Sequence, residues 1–437
     1  MKPIRKRNVF YLTLRLPLLN LGEGGGEDSG IIDLMKVALV HDYLKEPGGA
    51  EAVLMTLKEM FPEAPVYTAY AFSKYWGRYK DVLEKWDIRQ SWGRHLPLLP
   101  KWLSYYTILS PLFFQSFDLT KYDMVIISQT GGYFPNAIKF GPQTKVITYC
   151  HTPPRFLYGY DTATRERYKW YWRPISEIAN HILRMVDYKT AQRPTLFIAN
   201  SKNVANRIRK FYRREAEVVY PPIEIKASHT MGIQLAHNRL KDDYFLIISR
   251  IIGSKNIELA VEAANKYKFK MKIAGRPIGA SGEEIIKKIT GPTVEYLGEV
   301  DEKAKVELLT SAKAFLALEK DADFGMTAVE PQVYGTPVIA FRNGGYLEAI
   351  QENKTGIFFD ELTPEGLWKG IQKFNKMKWD NTVIIKNAEK FSKENFIKNI
   401  KNLVNNTLSD PPLNTKNHKD FSLLPLVAVR GGRGSSI

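Results

Sequence analysis

From Met35 onward, short runs of consecutive apolar residues alternate with longer stretches in which apolar residues recur at three- and four-residue spacing. The short runs fall at 36–40, 123–128, 145–150, 195–199 and 218–220, and again at 244–249, 270–274, 294–297, 314–318 and 338–341. Uninterrupted apolar runs of this length predict strands buried on both faces, as in a parallel sheet. Between them, Ala50, Val53, Leu54 and Leu57 share one helical face, as do Ile257, Ala260, Val261 and Ala264. Further helical sequence lies at 170–192, 202–212, 282–289, 301–311, 368–374 and 384–404. Strand and helix in alternation predict an α/β fold. A chain of 437 residues exceeds what one core supports, so two domains are expected. Residues 224–242 carry turn residues and little period, and read as the link between them.

The densest pattern is 315–341, AFLALEKDADFGMTAVEPQVYGTPVIAF from Ala314. It reads as a buried strand, a polar loop ending Asp323-Phe324-Gly325, a helix from about Thr327 to Gly335, and a second buried strand. In a parallel α/β sheet such a loop lies at the carboxyl edge of the strands, where ligands bind. The backbone N–H groups of Gly325, Met326, Thr327 and Ala328 suit an anion such as a phosphate. Glu330 has two readings. Thr327-x-x-Glu330 fits a helix capping box, in which the carboxylate only satisfies a backbone donor; alternatively Glu330 faces a ligand. A second candidate cradle is the strand–Gly48-Gly49–helix passage, which taken alone means only a turn.

The string at Phe324, Gly325, Glu330 and Gly335 to Ala340 resembles the nucleotide-sugar site of the retaining family 4 glycosyltransferases, a group that includes mannosyltransferases. The resemblance covers about residues 35–407 and implies a GT-B architecture, two Rossmann-like domains facing across a cleft. It implies an acceptor-side domain over 35–222, a hinge at 223–243 and a donor-binding domain over 244–385. A C-terminal helix over 386–407 crosses back to the first domain. By this resemblance Glu330 holds the donor's ribose, and Arg250 and Lys255, in the loop Arg250-Ile251-Ile252-Gly253-Ser254-Lys255-Asn256, clamp its diphosphate. A guanidinium engaging two phosphate oxygens and an ammonium adding a point charge are suited to that task. Gly49, in HDYLKEPGGAEAVL, resembles the first loop of the family, which approaches the substrates. His151, in YCHTPPRFLY, lies beside the transferred sugar in the related enzymes, although a loop histidine is by default a hydrogen-bonded polar residue. Gly344, Gly345 and Glu348 resemble a further loop near the donor. The family pattern has a Glu eight positions before Glu330, in contact with the donor sugar; Ala322 stands there, with Asp321 and Asp323 beside it.

Composition narrows the picture. With 44% hydrophobic and 25% charged residues the chain is ordinary globular material. One cysteine, Cys150, excludes a disulfide framework and a cysteine-based zinc site. The net charge of +17 favours anionic partners. Charge alone points to nucleic acid, but there is no recognition motif and no interleaved aromatic–basic platform, so nucleic acid is not expected as a partner. No apolar run is long enough to span a membrane. Residues 86–117 are rich in Trp, Leu, Tyr and Phe with scattered Arg and Lys. They read either as a helical pair packed on the sheet or as an interfacial patch lying on anionic lipid. Residues 1–34 do not read as part of the fold. The apolar stretch after Arg5-Lys6-Arg7 is interrupted by Arg15 and is not read as a signal peptide, and Gly22 to Gly30 lacks apolar period. Together with 408–437, residues 1–34 are expected to be disordered, and Met35 to be the natural start.

The expectation is therefore a retaining, metal-independent glycosyltransferase without a cofactor. It moves a hexose from a nucleotide-sugar, with GDP-mannose favoured over a UDP-sugar, to a lipid-linked or polysaccharide acceptor in cell-surface glycan synthesis. It would be cytoplasmic, or peripheral on the inner membrane face. The alternative, prompted by Ala322, is a catalytically silent protein of the same architecture that binds or scaffolds.

Overall fold

The computed structural model describes residues 35–45, 48–160, 173–223, 241–289 and 291–409. The expectations for 1–34, for nearly all of the 223–243 link and for the tail beyond 409 lie outside the described residues. Two sheets carry the chain, and every strand pairing in them is parallel.

The first sheet has seven strands in the order β3-β2-β1-β4-β5-β6-β7. They are β1 (Val37–His41), β2 (Val66–Thr68), β3 (Ile88–Gln90), β4 (Met124–Gln129), β5 (Lys145–Cys150), β6 (Leu196–Ala199) and β7 (Glu217–Val218). All residues of β1 and β4 are buried, as helices on both faces require. The second sheet has six strands in the order β10-β9-β8-β11-β12-β13. They are β8 (Phe245–Ile248), β9 (Met271–Ala274), β10 (Val294–Gly298), β11 (Ala314–Ala317), β12 (Val338–Phe341) and β13 (Gly356–Phe359).

Strand order locates the crevices. In the first sheet the chain runs outward from β1 to β3, then returns to β4 on the other side of β1. In the second it runs outward from β8 to β10, then returns to β11 on the other side of β8. Each reversal leaves the loops diverging at the carboxyl ends of two neighbouring strands, and ligands of open α/β sheets bind there.

Where the structure departs from the sequence reading, length and local geometry are the cause. β2, β3 and β13 are absent from the sequence reading because the first two are only three residues long and β13 sits in a glycine-led GIFF run, while the strand read at 218–220 is the two-residue β7. Residues 86–117 open with β3 before two short helices, Leu99–Tyr106 and Ser110–Gln115. The helix read over 384–404 is two, Asn381–Glu389 and Lys393–Ser409. The break frees the Phe391 carbonyl to accept from the Ile223 N–H at 2.8 Å.

The last helix ties the second half to the first. Its Phe396, fully buried, meets the Tyr149 ring of β5 edge-on at 5.7 Å between centroids. Lys393 pairs with Glu59 at 2.5 Å. Tyr220 packs on Phe324 and Phe391 at 5.3 and 5.2 Å. Truncating a buried phenylalanine leaves a cavity as well as lost burial, so Phe396→Ala is expected to cost about 3–5 kcal/mol. Urea denaturation checks this, and an unchanged midpoint would show that the helix does not hold the halves together.

Candidate functional site

The loop after β8 begins at Ser249 and ends at Asn256, which takes a left-handed conformation (φ 53°) just ahead of the Ile257–Tyr267 helix. The Asn256 amide donates to the Leu318 carbonyl at 2.8 Å, fastening this loop to the end of β11. Lys255 is thereby held against Glu319, and its ammonium donates to the Glu319 carboxylate. Arg250, in the same loop, is exposed, and its charge also acts on Glu319. A third cation comes from the first half: Arg155 Nη1 lies 3.6 Å from Glu319 Oε1. Burial opposes ionisation of Glu319, but Lys255 and then Arg155 outweigh it and hold its carboxyl below the ordinary range.

The loop that follows, Asp321 to Gly325, is gripped from the first half. Arg155 Nη2 donates to the Asp321 carbonyl at 2.7 Å and to Asp323 Oδ2 at 2.8 Å. Arg207 donates to Asp323 Oδ1 at 2.6 Å. Ser201 Oγ donates to the Asp323 carbonyl at 2.7 Å, and the Asn203 amide to the Ala322 carbonyl at 3.1 Å. Glu348 of the second half accepts from the backbone N–H groups of Lys202 and Asn203 at 2.7 and 2.8 Å, closing the N-terminus of the Lys202–Tyr212 helix. Asp323 and Glu348 are thus both committed to the contact between the halves.

Gly325 starts the Met326–Val333 helix with φ +91°. A Cβ there would fall 2.5 Å from the Tyr346 ring, so no other residue fits. Because Gly325 is the N-cap, Thr327 is the second helical residue and Glu330 the fifth. The capping-box reading therefore fails on register. Glu330 is instead half-buried and ion-paired with Lys305 of the Glu302–Ser311 helix. Thr327 hydrogen-bonds the buried Tyr346 hydroxyl, which also meets the Glu319 backbone. Phe324 needs a correction as a donor contact: its side chain is buried against Tyr220 and Phe391, so it offers a ligand only its backbone. Ala322 is buried in the same apolar cluster. Gly49 and Met326 do meet, since a Cβ on Gly49 would fall 2.8 Å from the Met326 sulfur.

In the first half, β1 and β4 are in register with His41 opposite Ser128, and His151 directly follows β5. Ser128 Oγ bridges His41 Nδ1 at 3.1 Å and His151 Nε2 at 3.0 Å. His41 Nε2 lies 3.7 Å from Glu51, whose other oxygen accepts from the Gly48 N–H at 2.8 Å. Asp42, fully buried, accepts from Thr130 Oγ1 at 2.6 Å and from the N–H groups of Gly132 and Tyr133 at 3.0 and 2.9 Å. Burial, with the charge of His41 second, pushes His151 down to about 3, so its imidazole is neutral at ordinary pH.

The structure therefore brings Lys255 and Arg250 into one loop and sets Gly49 on Met326. It gives Glu330 a separate partner and buries His151 in a polar chain. Sequence reasoning missed Glu319, Arg155, Arg207 and Ser128. Their signal was positional: Glu319 and Ser128 sit at or just past strand ends beside the two reversals, and Arg155 lies inside the quoted CHTPPR string. Among the described residues no three His, Cys, Asp or Glu side chains gather as metal ligands.

Two family models match the chain: "Glycosyl transferases group 1" over residues 234–391 and "Glycosyltransferase Family 4" over residues 47–227. The chain is similar to the alpha-1,3/1,6-mannosyltransferase ALG2 of Dictyostelium discoideum, 26% identical over 57% of this chain and 66% of that protein. It is similar to the human protein of the same name at 23% identity, over 58% of this chain and 65% of that one. The match spans just under two thirds of the length of these relatives. Among solved structures, Anabaena HepE in complex with UDP superposes with a TM-score of 0.59 at 16% identity, covering 85% of this chain and 100% of that one. The lipopolysaccharide outer core galactosyltransferase WaaB, in its apo form, gives 0.58 at 17%, covering 85% and 99%. These likenesses show the fold, two Rossmann-like domains.

A histidine held neutral below its ordinary value near 6.5 leaves the unfolded chain binding the extra proton. Its stabilising contribution is intact above that value and is lost as pH falls from about 6.5 towards 3, by up to about 1.4 kcal/mol per pH unit. Replacing it, as in His151→Asn, is expected to flatten the acid limb of a stability–pH curve measured by urea unfolding. An unaltered slope would show that His151 is not held neutral.

Proposed function

We propose, for a chain that belongs to the group 1 glycosyltransferases of the two-domain GT-B fold, that it transfers mannose from GDP-mannose to a lipid-linked or polysaccharide glycan. The observation that carries the reading is the placement of Arg250 and Lys255 together in the loop after β8, beside the reversal between β8 and β11. The names of the relatives favour mannose. A UDP-sugar is the rival donor.

In this reading Lys255 and Arg250 neutralise the departing diphosphate. Its charge grows as the bond from the sugar C1 to the phosphate oxygen breaks, and fixed cations stabilise that transition state most. The acceptor oxygen bonds to C1 on the face the diphosphate leaves, so the configuration is retained, and its proton passes to the leaving phosphate oxygen. Glu330 takes the ribose hydroxyls, exchanging its lysine partner for them. The N–H groups at Gly325, Met326 and Thr327 supply further donors. His151, neutral and bonded to Ser128, orients the sugar edge as a hydrogen-bonding group and brings no charge. The scheme assigns no role to a metal or a cofactor.

A second reading keeps the donor site without turnover. Ala322 motivates it, because its position is buried in apolar packing and neighbouring Asp323 is held by two arginines. Labelled nucleotide-sugars separate the two: transfer or hydrolysis supports the enzyme, and binding without turnover supports the silent form. Lys255→Ala and Arg250→Ala are each expected to cost about 2–4 kcal/mol of transition-state stabilisation, read from kcat/KM. Unchanged turnover in either sinks the assignment.

The acceptor is proposed to reach the first half at a lipid surface. Trp92, Leu98, Trp102, Tyr105 and Ile108 are all exposed within one short stretch, and Arg94 is exposed beside them. No described helix is long and apolar enough to cross a membrane, so contact would be peripheral. Trp102→Ser with Tyr105→Ser is expected to release the protein from vesicles containing anionic phospholipid in a flotation assay. Equal flotation of this variant and the wild type would remove the patch from consideration.

A further inference from the structure

We propose that Glu319 is a built-in competitor for the donor's diphosphate, and that Arg155 is the positioning residue that takes this carboxylate over when the diphosphate claims Lys255. The inference rests on the donor site put forward above and adds two residues that the family pattern does not assign there.

Three observations lead to it. First, Lys255 is already occupied: its ammonium donates to the Glu319 carboxylate. A diphosphate arriving at Lys255 must displace this internal anion. Second, the displaced carboxylate cannot simply be abandoned. Glu319 is mostly buried, its side chain 14% exposed, and an unpaired charge there would be strongly unfavourable. Third, a replacement partner is in place. Arg155 Nη1 lies 3.6 Å from Glu319 Oε1, too long for a hydrogen bond and within 1 Å of becoming one. The other guanidinium nitrogen is anchored, with Nη2 on the Asp321 carbonyl at 2.7 Å and on Asp323 at 2.8 Å. A planar fork fixed at one end presents its remaining donors in a set direction.

The exchange has a consequence for the whole molecule, because the two cations belong to different halves. Lys255 lies in the loop after β8 and Arg155 in the loop after β5. While Glu319 accepts from Lys255, its hydrogen bond stays within the second half and Arg155 attends it only as an ion pair at 3.6 Å. Once the diphosphate takes Lys255, Glu319 turns to Arg155 and the hydrogen bond itself spans both halves. Donor binding then tightens the contact on which the acceptor side rests, and by reciprocity that contact favours the donor. Charge is conserved throughout: one anion replaces another at Lys255, and Glu319 keeps a cationic partner.

A purely structural Glu319–Lys255 pair makes the opposite predictions, so calorimetric titration of the full chain with GDP separates them. Glu319→Gln keeps the shape and removes the competing charge; it is expected to bind GDP about tenfold more tightly than the wild type. Arg155→Met removes the cation that would receive Glu319, leaving it Lys255 and the charge of exposed Arg250, and is expected to bind about tenfold more weakly. In the double variant the Arg155→Met penalty should vanish, because there is no carboxylate left to receive. Arg155→Lys, which retains a charge, should recover part of the loss. Inorganic pyrophosphate should show the same gain in Glu319→Gln, since the competition concerns the diphosphate and not the base. Glu319→Gln binding equal to or weaker than the wild type overturns the inference, as does an Arg155→Met penalty of the same size in both backgrounds. Glu319→Gln decides the matter by itself should Arg155→Met fail to fold. A wild type that binds neither GDP nor UDP overturns the donor-site reading and this inference with it, a pattern distinct from the others.

Discussion

The cluster of charges between the two carboxyl edges is the constraint on which the rest depends. Arg155 and Arg207 from the first half close on Asp323, while Arg155 also approaches Glu319 and thereby Lys255. Each of these side chains is a quarter exposed or less. Partly buried charges add little net stability when paired, yet removing one partner strands the other at a cost of several kcal/mol. Such a cluster specifies a position more than it strengthens a fold. It keeps the Asp321–Gly325 loop, and so the start of the Met326–Val333 helix, in register with the first half.

The packing around the cluster shows why that loop has little freedom. Gly345 lies so close that a Cβ would fall 2.3 Å from the Phe324 Cα, and one on Gly344 would fall 2.4 Å from the Ala322 carbonyl. Phe324 beneath is wedged among Tyr220 and Phe391. The Phe-Gly pair is thus an anchor under the loop: the ring is the wedge and the glycine releases the backbone into the helix. The first half has a matching device in Asp42, whose carboxylate gathers the N–H groups of the loop after β4. Burial raises its pKa against the lowering by His41 and by those hydrogen bonds. A buried carboxylate satisfied by several donors fixes a loop where a hydrophobic side chain would leave the same N–H groups orphaned.

Much of the architecture was legible because buried parallel strands announce themselves as unbroken apolar runs. β1, β4, β5, β6, β8, β9, β10, β11 and β12 all lie within or across such runs. β2 and β3 have too few residues to establish a period, β13 begins with glycine, and the two-residue β7 was read only at its end, over 218–220. The site was legible only in part. Arg250 and Lys255 were visible through the resemblance of their loop to the family's diphosphate loop; taken alone, two basic residues in a basic chain read as solvated. Glu319 was not, since an acidic residue after a strand is ordinary until Arg155, 164 positions away, is seen beside it. The capping alternative for Glu330 stayed open because the pattern Thr-x-x-Glu carries no marker of which residue begins the helix; Gly325, two residues before Thr327, does.

Carboxylates around the second sheet's crevice can be sorted by what already holds them. Asp323 belongs to Arg155 and Arg207, and Glu348 belongs to the N-terminus of the Lys202–Tyr212 helix. The position occupied by Ala322 contributes none. Glu319 and Glu330 are each paired with a lysine from a neighbouring element, Lys255 and Lys305. Lysine is a compact point charge on a flexible stem, without the fixed fork that makes arginine pairs rigid. The contacts that hold the Asp321–Gly325 loop and Glu348 against the first half use arginine, Ser201, Asn203 and backbone N–H groups, while the two pairs beside the crevice use lysine. On the proposed reading the frame stays in place while a diphosphate entering at Lys255 takes the place of the Glu319 carboxylate as its counter-ion.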